Sequence, residues 1–410
     1  MLEKKTVSNL VLIALSLTLV CGSMASAQTA KKAKRVEKVP VVSSTEVKVK
    51  SDKPAQVSEE LADYKDEVNA AIGDLKSQLD KVKSDNSDAK VSGTLFFRWQ
   101  KYISQNTATA PNNFDIDRAY IDVKKNLAGD ASMRFTLDVS RLDTTKLDTN
   151  KKSQNLFEFL KYAYVDLPVA IPANLQVVPA SLSLRLGQQT TAWIDWADKM
   201  LGQRWIAKSL LDNEGVMSSA DLGVGALGTV TLAGLPVDYQ ATAVNGSGYK
   251  AAETDAKKSL GLRLTSTVVD SPDYGKLIAS AFYNEDGVTS SNLAGGNSFM
   301  AAELGLKNDT LTVYYEYLNG TLSTNINGYS TGLLYNVMPR WNAFCRFDRY
   351  DPNVFKANDQ IDRTFYGITF DWTKDVKIAA DVQNAIYGSA ASSNAGMTNS
   401  VFYLHTLVNF

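Results

Sequence analysis

Histidine is nearly missing: His405 is the single one in 410 residues. That argues against a His-rich metal site and against a His-based proton relay. Cysteine is almost as scarce, with only Cys21 and Cys345. Charge of one sign is lacking too. Lys plus Arg total 43 against 44 Asp plus Glu, a formal net charge of -1, so there is no electrostatic footprint for nucleic acid. No Gly-rich phosphate loop and no cysteine cluster is present. After residue 27 no stretch is apolar enough to form a membrane helix. These absences point to a non-enzymatic protein with no catalytic residue, no metal and no cofactor. The lone His405 reads as a polar wall residue, and Cys345, between Phe344 and Arg346, as a small apolar one.

What is present begins with the first 27 residues. Lys4 and Lys5 precede the run LVLIALSLTLV, and Ala25, Ser26 and Ala27 make a small-x-small cleavage pattern. This predicts a secretory signal peptide over 1–27, cleaved after about Ala27; the alternative is an uncleaved anchor, for which the run is short. Val20 before Cys21 is too large for a lipoprotein site. Residues 28–56, rich in Lys, Val, Ser and Pro, read as a flexible basic linker, whose charge suits contact with peptidoglycan. Over 57–90 the character changes. Leu61, Tyr64, Val68, Ala71, Leu75 and Val82 fall at a and d spacing, which predicts a short coiled coil or a single docked amphipathic helix. So short a coil would support oligomerisation driven elsewhere.

From 91 to 410 the apolar period is two. Leu95, Phe97 and Trp99 oppose Arg98; Ala119, Ile121 and Val123 oppose Arg118, Asp122 and Lys124; Phe135 and Leu137 oppose Arg134 and Asp138; Leu262 and Leu264 oppose Arg263. About sixteen such segments follow, the first near 92–102 and the last at 399–410. Connections after odd segments are long and polar, those after even segments mostly short. A soluble sandwich also alternates, so a secreted β-rich adhesin stays open as a reading. Three features favour a membrane barrel: the alternating rims, aromatic residues near strand ends (Trp99, Tyr102, Tyr315, Tyr317, Trp341, Trp372, Tyr387), and the last segment. VFYLHTLVNF alternates up to Phe410, as a strand would that must pair with the first to leave no bare edge in lipid. The expected fold is therefore all-β: a transmembrane antiparallel barrel of about 16 strands, preceded by a short coiled-coil helix.

A last strand with Phe402, Leu404, Val408 and Phe410 in alternation resembles the assembly signal of Gram-negative porins. FDIDRAYIDVKKNLAGDASMRFTLDVS, FLKYAYVDL, LRLGQQTTAW and SADLGVGALG resemble the phosphate-selective porin O/P group and related porins, over roughly residues 91–410. The resemblance implies an outer-membrane channel for small hydrophilic solutes and ions. It also implies a homotrimer in outer-membrane lipid and recognition of the Phe410 strand by the barrel-assembly machinery. A dedicated anion or phosphate channel is the narrower alternative; it predicts a ladder of unpaired Arg and Lys.

With apolar residues facing lipid, the opposite register would line the pore: Arg98, Arg118, Lys124, Arg134, Arg185, Arg263 and Arg346. Either these form an anion-attracting wall, giving a mild anion preference, or they pair with acids across strands. The longest connection, TAWIDWADKMLGQRWIAKSLLDNEGVMSS, follows the fifth segment. In sixteen-strand porins that loop folds inward, so Asp195, Asp198, Lys199 and Arg204 are expected at a constriction; the alternative is an outer cap.

Overall fold

The computed structural model describes residues 89–104, 112–141, 156–171, 180–289, 296–391 and 395–410, with isolated helical positions at Gly73 and Ser77. The signal peptide, the linker and nearly all of the coiled-coil stretch lie outside the described residues. Sixteen strands follow one another: β1 (Ala89–Ser104), β2 (Asn112–Asn126), β3 (Ser132–Arg141), β4 (Leu156–Pro168), β5 (Ser183–Thr190), β6 (Ala220–Leu232), β7 (Leu235–Val244), β8 (Lys258–Ser271), β9 (Gly275–Val288), β10 (Asn297–Lys307), β11 (Leu311–Thr321), β12 (Asn325–Met338), β13 (Trp341–Asp351), β14 (Ile361–Asp371), β15 (Val376–Tyr387) and β16 (Thr398–Asn409). Each pairs antiparallel with its sequence neighbours, and β16 pairs with β1, so the barrel is closed.

The seam is continuous: Leu95 lies opposite Val408, Arg98 opposite His405 and Trp99 opposite Leu404. Phe410 extends it beyond the last strand. Its N–H donates to the Gly93 carbonyl at 3.0 Å, and its carbonyl accepts from the Gly93 N–H at 2.8 Å. The Phe410 ring lies against Gly93, where a Cβ would stand 2.2 Å from Cζ. Only glycine leaves room for that ring.

Period-two patterning sorts the side chains as expected. Leu260, Leu262 and Leu264 on β8 are exposed on the outside, while Ser259 and Thr265 on the same strand are buried within. The two rims differ. One carries tight turns, such as Ala233–Gly234 between β6 and β7, where both residues have positive φ, the backbone a two-residue hairpin demands. The other carries the longer loops, with one exception: β11 and β12 run further than their patterning suggests and meet across 322–324. Two aromatic expectations need correction. Tyr102 and Tyr387 fall in the inward register; Arg363 stacks on Tyr387 from within, and Tyr102 lies opposite the buried Val401. The outer girdle is clearer at the short-turn rim, where Trp341, Phe370 and Trp372 pack together with the Arg340 guanidinium over Phe370.

Among the register shifts of the sheet, two β-bulges bear on the interior, at Phe96/Phe97 against β2 and at Thr136/Leu137 against β4. Each inserts one extra residue. The inserted residues are Asp117 and Lys161, and both end up against the interior.

Candidate functional site

The interior is not empty. Residues 191–219, between β5 and β6, lie inside the barrel. The neck is closed by Thr191, whose N–H and hydroxyl donate to the carbonyls of Ser219 (3.3 Å) and Ser218 (2.7 Å). Helix α1 (Ile194–Leu201) follows. Its apolar positions Ile194, Ala197, Met200 and Leu201 recur at helical spacing, and all four are buried. It stops at Gly202, which has φ 64 and donates to the Asp198 carbonyl at 2.9 Å, a left-handed cap open to glycine.

The buried side of this loop rests on inward-facing apolar residues of the wall. Trp193, Ile194, Ala197, Leu210 and Leu211 pack with Phe282 (β9), Phe299 (β10), Leu318 (β11), Ile326 (β12) and Tyr350 (β13). Trp205 and Ile206 pack with Phe96 (β1), Phe344 (β13), Phe365 (β14) and Ala379 (β15). Polar clamps hold the same stretch. The Trp193 indole N–H donates to Glu316 Oε1 at 2.7 Å. Arg118 donates to the Arg204 carbonyl at 3.1 Å, Arg346 to the Lys208 carbonyl at 2.6 Å, and Gln383 to the Ile206 carbonyl at 3.3 Å. Arg363 pairs with Glu214 at 2.6 Å. Trp205 meets His405 edge-on at 6.3 Å. His405 itself is buried, 3.0 Å from Asp381.

The four loop residues singled out by sequence separate into two pairs of roles. Asp198 and Arg204 are enclosed: Arg204 bridges Asp198 at 2.5 Å and Asp212 at 2.8 Å. Burial works against ionisation of Asp212, but Arg204 and Lys208 outweigh it and hold the carboxyl down at about 2. Burial pushes Asp198 up, against the pull of Arg204 and with Asp212 adding to the rise. Asp195 and Lys199 lie on the open side of α1, paired with each other at 2.7 Å. Asp195 acts electrostatically on Tyr162, Arg185 and Arg263 of the facing wall.

Most of the wall arginines have carboxylate partners. Arg98 lies 2.8 Å from Asp117 and 3.5 Å from Asp115, and Arg118 lies 2.9 Å from Asp117. Arg134 bonds Asp122 at 2.8 Å and stacks on Tyr162. Arg185 grips Asp166 with two bonds, at 2.7 and 2.8 Å, over the Tyr164 ring. Arg346 grips Asp348 in the same way on its own strand. Arg118 and Arg346 are thus enclosed beneath the loop rather than open to the interior. Arg263 differs: among the described residues it has no carboxylate at ion-pair distance and donates to Thr265 at 2.5 Å. Lys124 sits exposed near the short-turn rim, opposite Arg134. Lys161, the residue inserted by the second bulge, is buried, bonds the Tyr120 hydroxyl at 2.9 Å and lies over the rings of Tyr120, Tyr162 and Tyr249.

Above the loop, on the long-loop side, lies a cavity of about 960 Å³ lined in part by Arg98, Asp117, Lys208, Asp212 and Lys250. Its lining mixes both signs of charge. Among the described residues no group of three or more His, Cys, Asp and Glu side chains is arranged to hold a metal ion.

No protein-family model matches the chain, and no curated protein matches its sequence. Solved structures do match. OprB of Pseudomonas putida, in its high-pH structure, superposes with a TM-score of 0.54 at 9% identity, over 80% of this chain and 96% of that one. OmpF of Salmonella typhi, in complex with daunomycin, also gives 0.54 at 9% identity, over 78% and 97%. An anion-selective porin from Comamonas acidovorans gives 0.51 at 11% identity, over 78% and 99%. The fold is that of the Gram-negative outer-membrane porins. At these identities the likeness is one of architecture, and the site must be read from this chain's own residues.

Proposed function

We propose that this protein is a non-enzymatic porin of a Gram-negative outer membrane, a water-filled channel for passive diffusion of small hydrophilic solutes and ions. One observation carries the reading. A closed sixteen-strand cylinder turns leucines outward and charged side chains inward, and a barrel of that size leaves an aqueous passage. The loop between β5 and β6 acts as the constriction. Its apolar side covers the wall from β9 to β16, so the open route runs between Asp195 and Lys199 on α1 and the wall around Arg134, Arg185 and Arg263.

The charge preference is mild and on the anion side. Five of the proposed pore-lining arginines have carboxylate partners, which cancels most of their field at a distance. Arg263 keeps its charge facing the passage. A dedicated phosphate channel fits less well, since its ladder of unpaired cations is interrupted by these pairs. The proposal includes a homotrimer in outer-membrane lipid, exported by the 1–27 signal and inserted through recognition of β16 and Phe410.

Planar-bilayer recording tests this. The purified protein should give discrete conductance steps, and a tenfold salt gradient should give a small reversal potential of the sign for anion preference. Absence of any conductance from correctly folded protein would defeat the channel. A large, phosphate-dependent block would favour the narrower channel instead.

A further inference from the structure

Glu303 on β10 and Glu316 on β11 lie directly opposite each other across the sheet. Both face inward and are buried, at 3% and 0% exposure. Side chains so placed have Cβ atoms roughly 5 Å apart, and like charges there repel. Glu316 Oε1 accepts from the Trp193 indole. Neither Glu303 oxygen has a hydrogen-bond partner among the described residues, nor has Glu316 Oε2. Buried carboxylate oxygens are rarely left so.

The surroundings offer little compensation. Arg346 is the cation that acts on both glutamates, but its guanidinium is spent on Asp348 and on the Lys208 carbonyl. Asp348 on β13 and Asp198 on α1 act on Glu316 as further negative groups. Tyr314 contributes a neutral hydroxyl turned to Ser330. Helix α1 closes the site from the interior: Met200 presses so tightly on Gly305, two residues beyond Glu303 on the same face, that a Cβ there would stand 1.9 Å from Met200 Cε.

We propose that Glu303 and Glu316 hold one proton between them, and that this shared proton lets α1 lie flat against the wall. They are positioning residues, acting on the passage through Trp193 and the loop. The proposal rests on reading that loop as the constriction. Two carboxylates sharing a site cannot both ionise cheaply. When the proton is removed, the pair must be hydrated, and water can reach it only from the interior side that α1 covers. The helix then lifts off β10 and β11 into the route opposite. Conductance therefore falls in one step as pH rises and the shared proton is lost.

The experiment is single-channel recording from about pH 6 to about pH 10, near-neutral and alkaline with respect to a carboxyl, on wild type and Glu303→Gln. Wild type should lose conductance in one step of one-proton slope, and E303Q, which cannot ionise, should stay flat. An unchanged step in E303Q would overturn the proposal. Infrared spectra of wild type alone provide a second arm that needs no variant to fold. A protonated-carboxyl band should persist at neutral pH and vanish over the same step; its absence at neutral pH would overturn the shared proton. If the band titrates but no conductance is ever seen, the shared proton stands and the channel reading falls.

Discussion

At the scale of single residues, the loop is held by charges whose settings differ although the side chains are alike. Asp212 is kept at about 2 by Arg204 and Lys208 against the cost of burial. A carboxyl depressed in the folded state contributes stability above its unfolded value, about 3.9, and loses it as pH falls toward the folded one. The Arg204 cluster should therefore stay intact at about pH 4 and come apart near pH 2. Three of the six tryptophans, Trp193, Trp196 and Trp205, are in this loop, so intrinsic fluorescence reports the release; Asp212→Asn should shift the onset upward. The two aspartates expected at the constriction should also part company. Asp195→Asn changes a charge on the open side of α1, so it should move the reversal potential further toward anions at little cost in stability. Asp198→Asn leaves the enclosed Arg204 with one partner fewer, and loss of a buried partner costs on the order of 3 kcal/mol. It should loosen the loop, seen as noisier current. Equal effects from the two substitutions would contradict this division.

At the scale of elements, period-two alternation was enough to place all sixteen strands, because one face of each strand meets an apolar surround and the other a polar interior. Boundaries agree closely, except that β9 runs to Val288, β11 to Thr321 and β12 back to Asn325, each beyond its apolar pattern. What alternation could not show is that the interior has its own apolar partner. Phe344 shares a register with Arg346, and Leu318 with Glu316. Phenylalanines and leucines on the wet face are the signal: they need something inside to cover them, and α1 and its neighbours do so. The loop's inward course followed from resemblance, but its footing was legible only as these violations. The arginine–carboxylate pairs were hidden for another reason. Cross-strand register decides that Arg134 reaches Asp122, and the bulge in β2 is what sets Asp117 beside Arg98 and Arg118. Trp193→Ala tests the footing directly. Removing a fully buried indole costs about 3–5 kcal/mol and unties the loop from Glu316. The barrel ladder does not depend on it, so heat-resistant mobility should survive while conductance falls and fluctuates as α1 leaves the wall for the route opposite. A variant with wild-type current would mean that α1 is held without this anchor.

At the scale of the whole molecule, the cylinder exists only if its two ends meet. In a barrel that sits in lipid, each unpaired strand amide would face hydrocarbon, at a cost of several kcal/mol. The seam between β1 and β16 is the one pairing that joins strands distant in sequence, and loop-closure entropy opposes it more than any hairpin. Phe410 adds to it at the last step through two backbone hydrogen bonds to Gly93 and a ring laid over a position with no side chain. Gly93→Val should displace that ring, and deletion of Phe410 should remove it. Each should lower the fraction of protein that runs as a compact band in cold detergent and shifts on boiling. Since both changes break the same contact, the double variant should be hardly worse than the poorer single one. If the losses instead add, Gly93 and Phe410 act separately, and the seam is sealed by the β1–β16 ladder without the terminal ring.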